Sequence, residues 1–277
     1  MKKLSIEDGK EILKKHFTQQ HAVVKNSGDE NEIMWVELKF SHSHDVFEMS
    51  KKLLDGDEEL KVLSDDDKLL GKLGALLHDV GRFYEVGEKR LNGVPHGIYG
   101  ADSILEKIEG VDDLAILLPV KYHDDLYGKE KTLEELAKSN ISQEQKDLTF
   151  KLLKLVMDSD KLANFHLFKD CNRRYFLNLP KEIAIADACL NSFKNRELVK
   201  REDRKSVLDQ LIFYISWSYD LNYQFSKDLV RNESYMKAFT NMMREIIEQE
   251  AKNPAEKKDV LTKLEMIESQ LAQDGLL

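Results

Sequence analysis

Residues that interrupt helices are scarce in this chain, which has 4 prolines and 13 glycines among 277 residues. Architectures built from short strands need a turn after each strand, and this composition supplies too few turn residues for them. Long stretches are instead rich in Leu, Lys and Glu, which favour helices. The chain is also long enough to bury a full core, as one large domain or two small ones. The sequence therefore predicts an all-α protein.

Composition and charge exclude several classes of function. The formal net charge is −9, so no global field draws the protein onto long nucleic acid. The cysteines, Cys171 and Cys189, are too few for a zinc knuckle or a disulfide scaffold. The first residues lack the apolar stretch of a signal peptide, and no apolar run approaches the roughly 20 residues of a membrane span. We therefore expect a cytoplasmic protein without membrane contact.

The predicted helices are separated by polar, Gly-containing or Pro-containing segments. Ser64 is a favourable N-cap, with three aspartates behind it in the positive first turn, and Gly81 is expected to end that helix. Residues 85–97 read as a loop, and residues 33–40 fit a strand or a helix. Helices are predicted over 5–20, 41–54, 64–80, 98–109, 112–124, 132–138, 143–165, 181–197, 204–224, 226–251 and 255–273.

Two adjacent polar side chains, His78 and Asp79, follow the apolar run of the helix that begins at Ser64. A plain core would place further apolar residues there. Imidazole nitrogen and carboxylate oxygen together suit Mn, Fe, Zn, Ni or Co, and a bound metal lowers the pKa of its water. Further candidate ligands are spaced along the chain, so the pattern indicates a hydrolase that activates water on a metal between bundled helices. These candidates are His42, His96, His123 and Asp160.

His42 shares a helical stripe with Val46, Met49 and Leu53, so its side chain should face the interior. A hydrogen-bonded core histidine is the ordinary alternative. His44 lies on the neighbouring stripe and is the competing ligand, and we rank it below His42.

Three separated motifs resemble the H…HD…D signature of the HD-domain metal-dependent phosphohydrolases. They occupy residues 42–46, 75–81 and 156–162, and the resemblance extends over about residues 36–165. It implies a helical bundle in which four residues hold one metal: His42, His78, Asp79 and Asp160.

His96 and His123 resemble the two extra ligand positions of binuclear members, which include the HD-GYP cyclic-dinucleotide phosphodiesterases. Taken alone, each would be an ordinary loop or helix-end histidine. His123 is followed by Asp124 rather than by a second histidine, no Gly-Tyr-Pro follows, and Arg82 replaces the lysine of that subfamily. The chain is therefore expected to be a relative outside it, with a substrate other than cyclic di-GMP.

Phosphate binding requires cations, and Arg82 lies three residues after Asp79 with a planar fork that suits phosphate oxygens. A salt bridge with Glu85 is the ordinary alternative for Arg82. Lys121 and Lys161 are weaker candidates for substrate binding. Asp79, Arg82 and Glu85 form the predicted catalytic set, with Asp79 bridging or binding metal and Glu85 as general acid or base if one metal is bound.

These patterns together predict hydrolysis of a phosphomonoester or phosphodiester of a nucleotide-like small molecule by metal-activated water. The expected cofactor is one or two divalent metals per chain, namely Mn, Fe, Ni, Co or Zn, with Mg as a further candidate. An N-terminal helical extension (1–35), an HD core (36–200) and C-terminal helices packing on that core or forming a homodimer surface (201–277) complete the predicted organisation. Two alternatives remain open: a degenerate HD module that binds a nucleotide or protein partner without catalysis, and a di-iron enzyme of oxygen chemistry.

Overall fold

The computed structural model describes residues 4–86, 91, 93–111, 113–124, 126–169 and 183–277. Within these ranges every regular element is helical and no strand occurs, which confirms the all-α prediction. The chain falls into two compact units, Met1–Ala163 and Asn164–Leu277. The predicted boundaries at residues 35 and 200 mark the extent of an HD core, not the limits of the compact units, and they stay a prediction. No helix in the described ranges combines the length and the apolar character needed to cross a membrane.

The helices of the first unit begin at polar caps. Ser5 and Asp8 form a reciprocal capping box at the first helix, and the Asp29 carboxylate accepts two backbone N–H groups at the second. Ser64 caps the third helix as predicted, accepting from the Asp67 N–H. The helices are α1 (Ile6–Ser27), α2 (Glu30–Gly56), α3 (Asp65–Leu77), α4 (His96–Ile98), α5 (Leu114–Tyr122), α6 (Gly128–Lys138) and α7 (Gln143–Lys169), and the boundary between the units falls inside α7.

Several predicted helix boundaries differ from the structure. Residues 33–40, left open between strand and helix, belong to α2, which continues through the predicted helix over 41–54. The expected stop at Gly81 is wrong, because α3 ends at Leu77 and the chain tightens into a 3-10 turn over Val80–Tyr84. The segment predicted as one helix over 98–109 begins earlier, at His96, and continues as a π-helical stretch (Tyr99–Ile104) and a 3-10 turn (Leu105–Lys107).

The core of the first unit is arranged around α3, which packs against α1, α2 and α5. Leu13, Leu76 and Phe83 are fully shielded from solvent, and each such side chain contributes about 1.5–3 kcal/mol of transfer free energy. Gly71 lies against leucines of α7. The C-terminal end of α3, where His78 follows, is therefore held in a fixed position inside the unit.

Five α-helices follow α7 in the described part of the second unit, and aromatic residues pack closely at the C-terminal end of α9. Tyr214 and Trp217 have ring centroids 4.9 Å apart, and Leu211 and Ile215 are fully buried, as expected for packing. The predicted helix over 226–251 is two helices, because Ser234 adopts a left-handed conformation with φ 56° and interrupts it. Of the predicted helix over 181–197, residues 181 and 182 lie outside the described residues. The helices are α8 (Asp187–Lys194), α9 (Val207–Ser216), α10 (Gln224–Asn232), α11 (Tyr235–Glu250) and α12 (Pro254–Gln273).

Asp274, which follows α12, accepts hydrogen bonds from three side chains of the second unit. The donors are Arg196 at 2.7 Å, Tyr219 at 2.8 Å and Gln270 at 3.0 Å. Partial burial raises the pKa of Asp274, but these donors outweigh that effect and hold the pKa below its usual range. The carboxylate therefore connects the end of the chain to two earlier segments of the unit.

Candidate metal centre

His78 occupies the C-cap of α3 and Asp79 the residue before the 3-10 turn, so the pair lies where one helical segment changes into another. The His78 ring is fully buried, and its Nδ1–H donates to the Ala75 carbonyl at 2.7 Å. Because a carbonyl oxygen can only accept, this bond leaves the lone pair on Nε2. His78 Nε2 is buried and has no hydrogen-bond partner in the described part of the chain. Such an atom is oriented as a metal ligand.

His123 repeats this arrangement at the C-terminal end of α5. Its Nδ1–H donates to the Val120 carbonyl at 2.9 Å, so its Nε2 is directed away from its own helix. That Nε2 lies 3.5 Å from Asp79 Oδ1 and 3.3 Å from His96 Nε2. Two local helix-end contacts thus aim two imidazoles at the same carboxylate.

His42 of α2 and Asp160 of α7 complete one side of the cluster. His42 Nε2 lies 2.8 Å from Asp160 Oδ1, and His78 Nε2 lies 3.7 Å from the same oxygen. His42 is buried, as its stripe predicts, and its Nδ1 is a second buried nitrogen without a partner among the described residues. His44, the competing candidate, is half-buried with its ring against Phe40. The ranking of His42 above His44 agrees with this geometry.

His96 joins the cluster from the first turn of α4. Its Nε2 lies 3.3 Å from Asp79 Oδ1 and its Nδ1 lies 3.5 Å from Glu85 Oε1. Two groups have ligand atoms all within 4.8 Å of one another: His42, His78 and Asp160, and His78, Asp79 and His123. The Asp79 carboxylate, itself in the second group, faces histidines on both sides, since Oδ2 lies 3.9 Å from His42 while Oδ1 faces His96 and His123. The structure therefore brings all six predicted ligands together, with Asp79 where a bridging carboxylate is expected.

Two glycines permit this convergence by lacking a side chain. A Cβ on Gly81 would lie 2.1 Å from the His96 carbonyl oxygen, and a Cβ on Gly97 would lie 2.6 Å from the Lys121 carbonyl oxygen. Both contacts are with backbone, which cannot rotate away. The segments that carry Asp79, His96 and His123 therefore touch directly through backbone atoms.

Charges around the cluster favour ionised carboxylates. Burial raises the pKa of Asp79, but the Lys39 ammonium and His78 oppose it, and the net pKa lies well below the usual range. Burial likewise raises the pKa of Asp160, and the hydrogen bond with His42 outweighs it, so this pKa is also lowered. Burial, reinforced by Lys39, lowers the pKa of His42, which favours the neutral imidazole that binds metals. Four imidazoles, two carboxylates and unpartnered buried nitrogens fit a divalent transition metal.

Arg82 is held by three carboxylates. Its Nη1 donates to Glu85 at 3.0 Å, its Nη2 donates to Asp124 at 2.9 Å, and its Nε lies 3.4 Å from Asp79 Oδ1. Burial lowers the pKa of Arg82, but these carboxylates raise it by more, so the guanidinium stays charged. The salt bridge with Glu85 that was the ordinary alternative is present, and Asp124 extends it.

Lys39 is a cation of the site that the sequence analysis missed. Its Nζ donates to Asp79 Oδ2 at 2.8 Å, and its side chain is 12% exposed. Lys39 lies three residues before His42 on α2, so the signal was a lysine one helical turn from a buried histidine.

The two weaker phosphate candidates have different surroundings. Lys121 Nζ lies 3.2 Å from Asp102 and 3.3 Å from Glu135, which gives it two carboxylate partners besides the ring of Tyr122. Lys161 is buried beside Asp160 in α7. Their part in substrate binding stays a prediction.

Residues 40–164 match the family model of the HD domain. The chain contains an HD domain. The match begins two residues before His42 and ends four residues after Asp160, so it includes all six ligand candidates. No curated protein and no solved structure matches the chain. The assignment of an HD domain therefore rests on the family model, which covers 125 of the 277 residues.

Proposed function

We propose that this HD-domain chain is a metal-dependent phosphohydrolase that cleaves a phosphomonoester or phosphodiester bond of a nucleotide-like small molecule. The observation that carries the proposal is the convergence of six ligand-type side chains on one buried point around Asp79. Buried polar groups normally find hydrogen-bond partners, and orphaned ones require an explanation. A metal site explains the orphaned His78 Nε2, which faces Asp79 and Asp160.

The ligands divide into two groups that share the space around Asp79. His42, His78 and Asp160 would hold one metal, and Asp79 with the two histidines that face its Oδ1, His96 and His123, would hold a second. When bound, such metals supply activation of water and neutralisation of charge on the phosphoryl oxygens. The mixed nitrogen and oxygen donors favour Mn, Fe, Co, Ni or Zn over Mg.

The residues of the chain orient and shield this chemistry. The Ala75 and Val120 carbonyls fix the ring orientations of His78 and His123 through their Nδ1–H groups. Arg82 holds the carboxylates of Asp79 and Glu85 in one arrangement. This pairing makes Arg82 a positioning residue for the carboxylates in addition to its predicted neutralising role.

Glu85 lies at the edge of the cluster and is the candidate acid or base if one metal is bound. Its side chain is 29% exposed, and its Oε1 lies 3.5 Å from His96 Nδ1. Burial raises the pKa of Glu85, but the hydrogen bond with His96 and the charge of Arg82 lower it by more. The carboxylate is thus ionised, which disfavours the role of acid, and its lowered pKa also makes it a weaker base.

Other expectations follow from composition. With a net charge of −9, we propose a phosphorylated small molecule rather than a long nucleic acid as the partner, and the cytoplasm as the compartment.

The test pairs a site variant with a control of the same chemistry. Wild type, the double variant His78→Ala with Asp79→Ala, and His44→Ala are purified without chelator or metal-affinity resin. Metal content per chain is measured by mass spectrometry. Hydrolysis of 4-nitrophenyl phosphate and bis(4-nitrophenyl) phosphate is measured with Mn, Fe, Co, Ni and Mg. The double variant should lose metal and turnover while keeping its helical circular-dichroism spectrum, and His44→Ala should keep all three.

Metal stoichiometry then separates the versions of the proposal. About two metals per chain would place His96 and His123 in a binuclear site, whereas about one would confine the ligands to His42, His78, Asp79 and Asp160. Full activity in the double variant would refute the proposal, and nucleotide affinity without turnover under every metal would favour the binding module.

A further inference from the structure

Two cations flank Asp79, one at each carboxylate oxygen. They differ in the number of other carboxylates to which each donates. Arg82 approaches Oδ1 and also donates to Glu85 and Asp124, so its fork is directed at three carboxylates. Lys39 approaches Oδ2 at 2.8 Å. An ammonium group has three N–H donors, and Asp79 is the hydrogen-bond acceptor of Lys39 among the described residues.

The surroundings of Lys39 keep its ammonium at the site. The Trp35 ring lies one helical turn earlier on α2, with its centroid 5.3 Å from Nζ. An aromatic face attracts a cation without accepting all of its hydrogen bonds. The side chain is 12% exposed, which leaves a small opening to solvent next to Asp79.

The charge of Lys39 is balanced by Asp79 in a way that metal binding would change. The proposed metals would draw the same carboxylate toward themselves, since its oxygens face His42 on one side and His96 and His123 on the other. A cation that is largely shielded from solvent destabilises the folded protein when it loses its counter-charge. An anion next to Asp79 would restore the balance, and an ammonium is a common phosphate-binding point charge.

We propose that Lys39, rather than Arg82, is the residue that binds a phosphate oxygen of the substrate. This inference rests on the proposed phosphohydrolase function for the identity of the ligand. The competing interpretation is that Lys39 only neutralises the buried Asp79 and supports the ligand cluster.

The experiment compares Lys39→Met, Lys39→Arg and Lys51→Met in the manganese-loaded protein. Lys51 is a matched control, because it lies on the same helix, its Nζ is 5.5 Å from the Phe47 ring, and it pairs with Glu48 away from the cluster. The probe is inorganic phosphate, whose affinity is measured by calorimetric titration. Metal content, melting temperature, and kcat and KM for 4-nitrophenyl phosphate are measured on the same samples.

Lys39→Met should weaken phosphate binding roughly tenfold to hundredfold, because a charge-assisted hydrogen bond is lost. KM should rise accordingly, while metal content stays at the wild-type value. Lys39→Arg should restore most of the phosphate affinity, and Lys51→Met should behave as wild type.

Two results would overturn the inference. Phosphate affinity of Lys39→Met within about twofold of wild type would show that Lys39 does not bind phosphate. Loss of metal from Lys39→Met, with phosphate affinity falling in proportion, would show that Lys39 only supports the cluster. If wild type binds phosphate through Lys39 but hydrolyses neither ester, the inference stands and the proposed function fails. If wild type hydrolyses the esters and Lys39→Met binds phosphate as wild type does, the proposed function stands and the inference about Lys39 fails.

Discussion

Substitution of Gly81 by alanine is expected to disturb the ligand cluster without touching a ligand. An added Cβ would lie 2.1 Å from the His96 carbonyl oxygen and 3.0 Å from the Gly100 nitrogen. The first distance is shorter than any normal contact, and neither atom belongs to a side chain that can rotate. The segment carrying His96 must therefore move away from the segment carrying Asp79.

The structure sets the size of this effect. A Cβ contact of at least 3.0 Å requires a displacement of about 0.9 Å between the two backbones. Overpacking of this kind costs about 1–3 kcal/mol, which lowers the melting temperature by roughly 3–10 °C in a unit of this size. His96 Nε2 is 3.3 Å from Asp79 Oδ1, so the same displacement should reduce turnover by roughly a hundredfold.

Gly74→Ala is the matched control, because it makes the same chemical change four residues before His78. Its added Cβ would lie 3.4 Å from a Val156 methyl group and 3.7 Å from Pro119 Cβ, at or near ordinary contact distances. Alanine is favoured over glycine inside a helix by about 1 kcal/mol, so this variant should melt at or slightly above the wild-type temperature. Circular dichroism gives the melting curves, and mass spectrometry gives metal content in defined manganese.

A Gly81→Ala variant with the melting temperature and the metal content of wild type would refute the predicted contact with His96. Equal destabilisation of Gly81→Ala and Gly74→Ala would also contradict the prediction. The loss of stability would then follow from the loss of glycine rather than from the contact with His96.

Three further predictions concern the rest of the molecule. Burial and the neighbouring Asp209 raise the pKa of Cys189 to about 12. In a Cys171→Ser background, its thiol should therefore resist iodoacetamide at pH 8 until guanidinium unfolds the chain. Mass spectrometry follows the alkylation. Asp274→Asn should lower the melting temperature by roughly 2–4 °C at neutral pH. Because the folded pKa of Asp274 is depressed, its stabilisation is present above the unfolded pKa of about 3.9 and lost as the pH falls below it, so melting curves of variant and wild type should converge in acid. Ser64→Ala should lower the free energy of unfolding by about 1 kcal/mol through loss of the N-cap, measured by urea unfolding, with unchanged metal content. An unchanged urea midpoint would contradict a stabilising role of this N-cap.

The sequence was sufficient for the fold class and the six converging side chains, because both depend on local pattern and ordered motifs. The α2 stripe predicted that His42 faces inward, and the structure buries it against His78 and Asp160. Whether residues 33–40 were strand or helix could not be decided locally, since Trp35, Val36 and Phe40 suit either. Packing of α2 against α1 and α3 favours the helix.

The missed features depend on contacts between distant parts of the chain or on irregular backbone. Arg82 and Asp124 are 42 positions apart, and no spacing rule brings them together. Neither proline nor glycine marks the interruption at Ser234, so the helical pattern continued across it. Lys39 was overlooked because most lysines on a helix are solvated, and only the burial of Asp79 distinguishes this one.

His42 and Asp160, which meet at 2.8 Å, are separated by 118 positions. During synthesis at roughly 5–20 residues per second, the second of them leaves the ribosome roughly 6–24 seconds after the first. Over that interval the nascent chain has His42, His78 and Asp79 but no α7 to hold them in place. Closure of so long a loop is slow and is favoured only after the helices around α3 have assembled. The complete ligand cluster is therefore expected to form late in folding, so a metal would bind the finished first unit rather than the emerging chain.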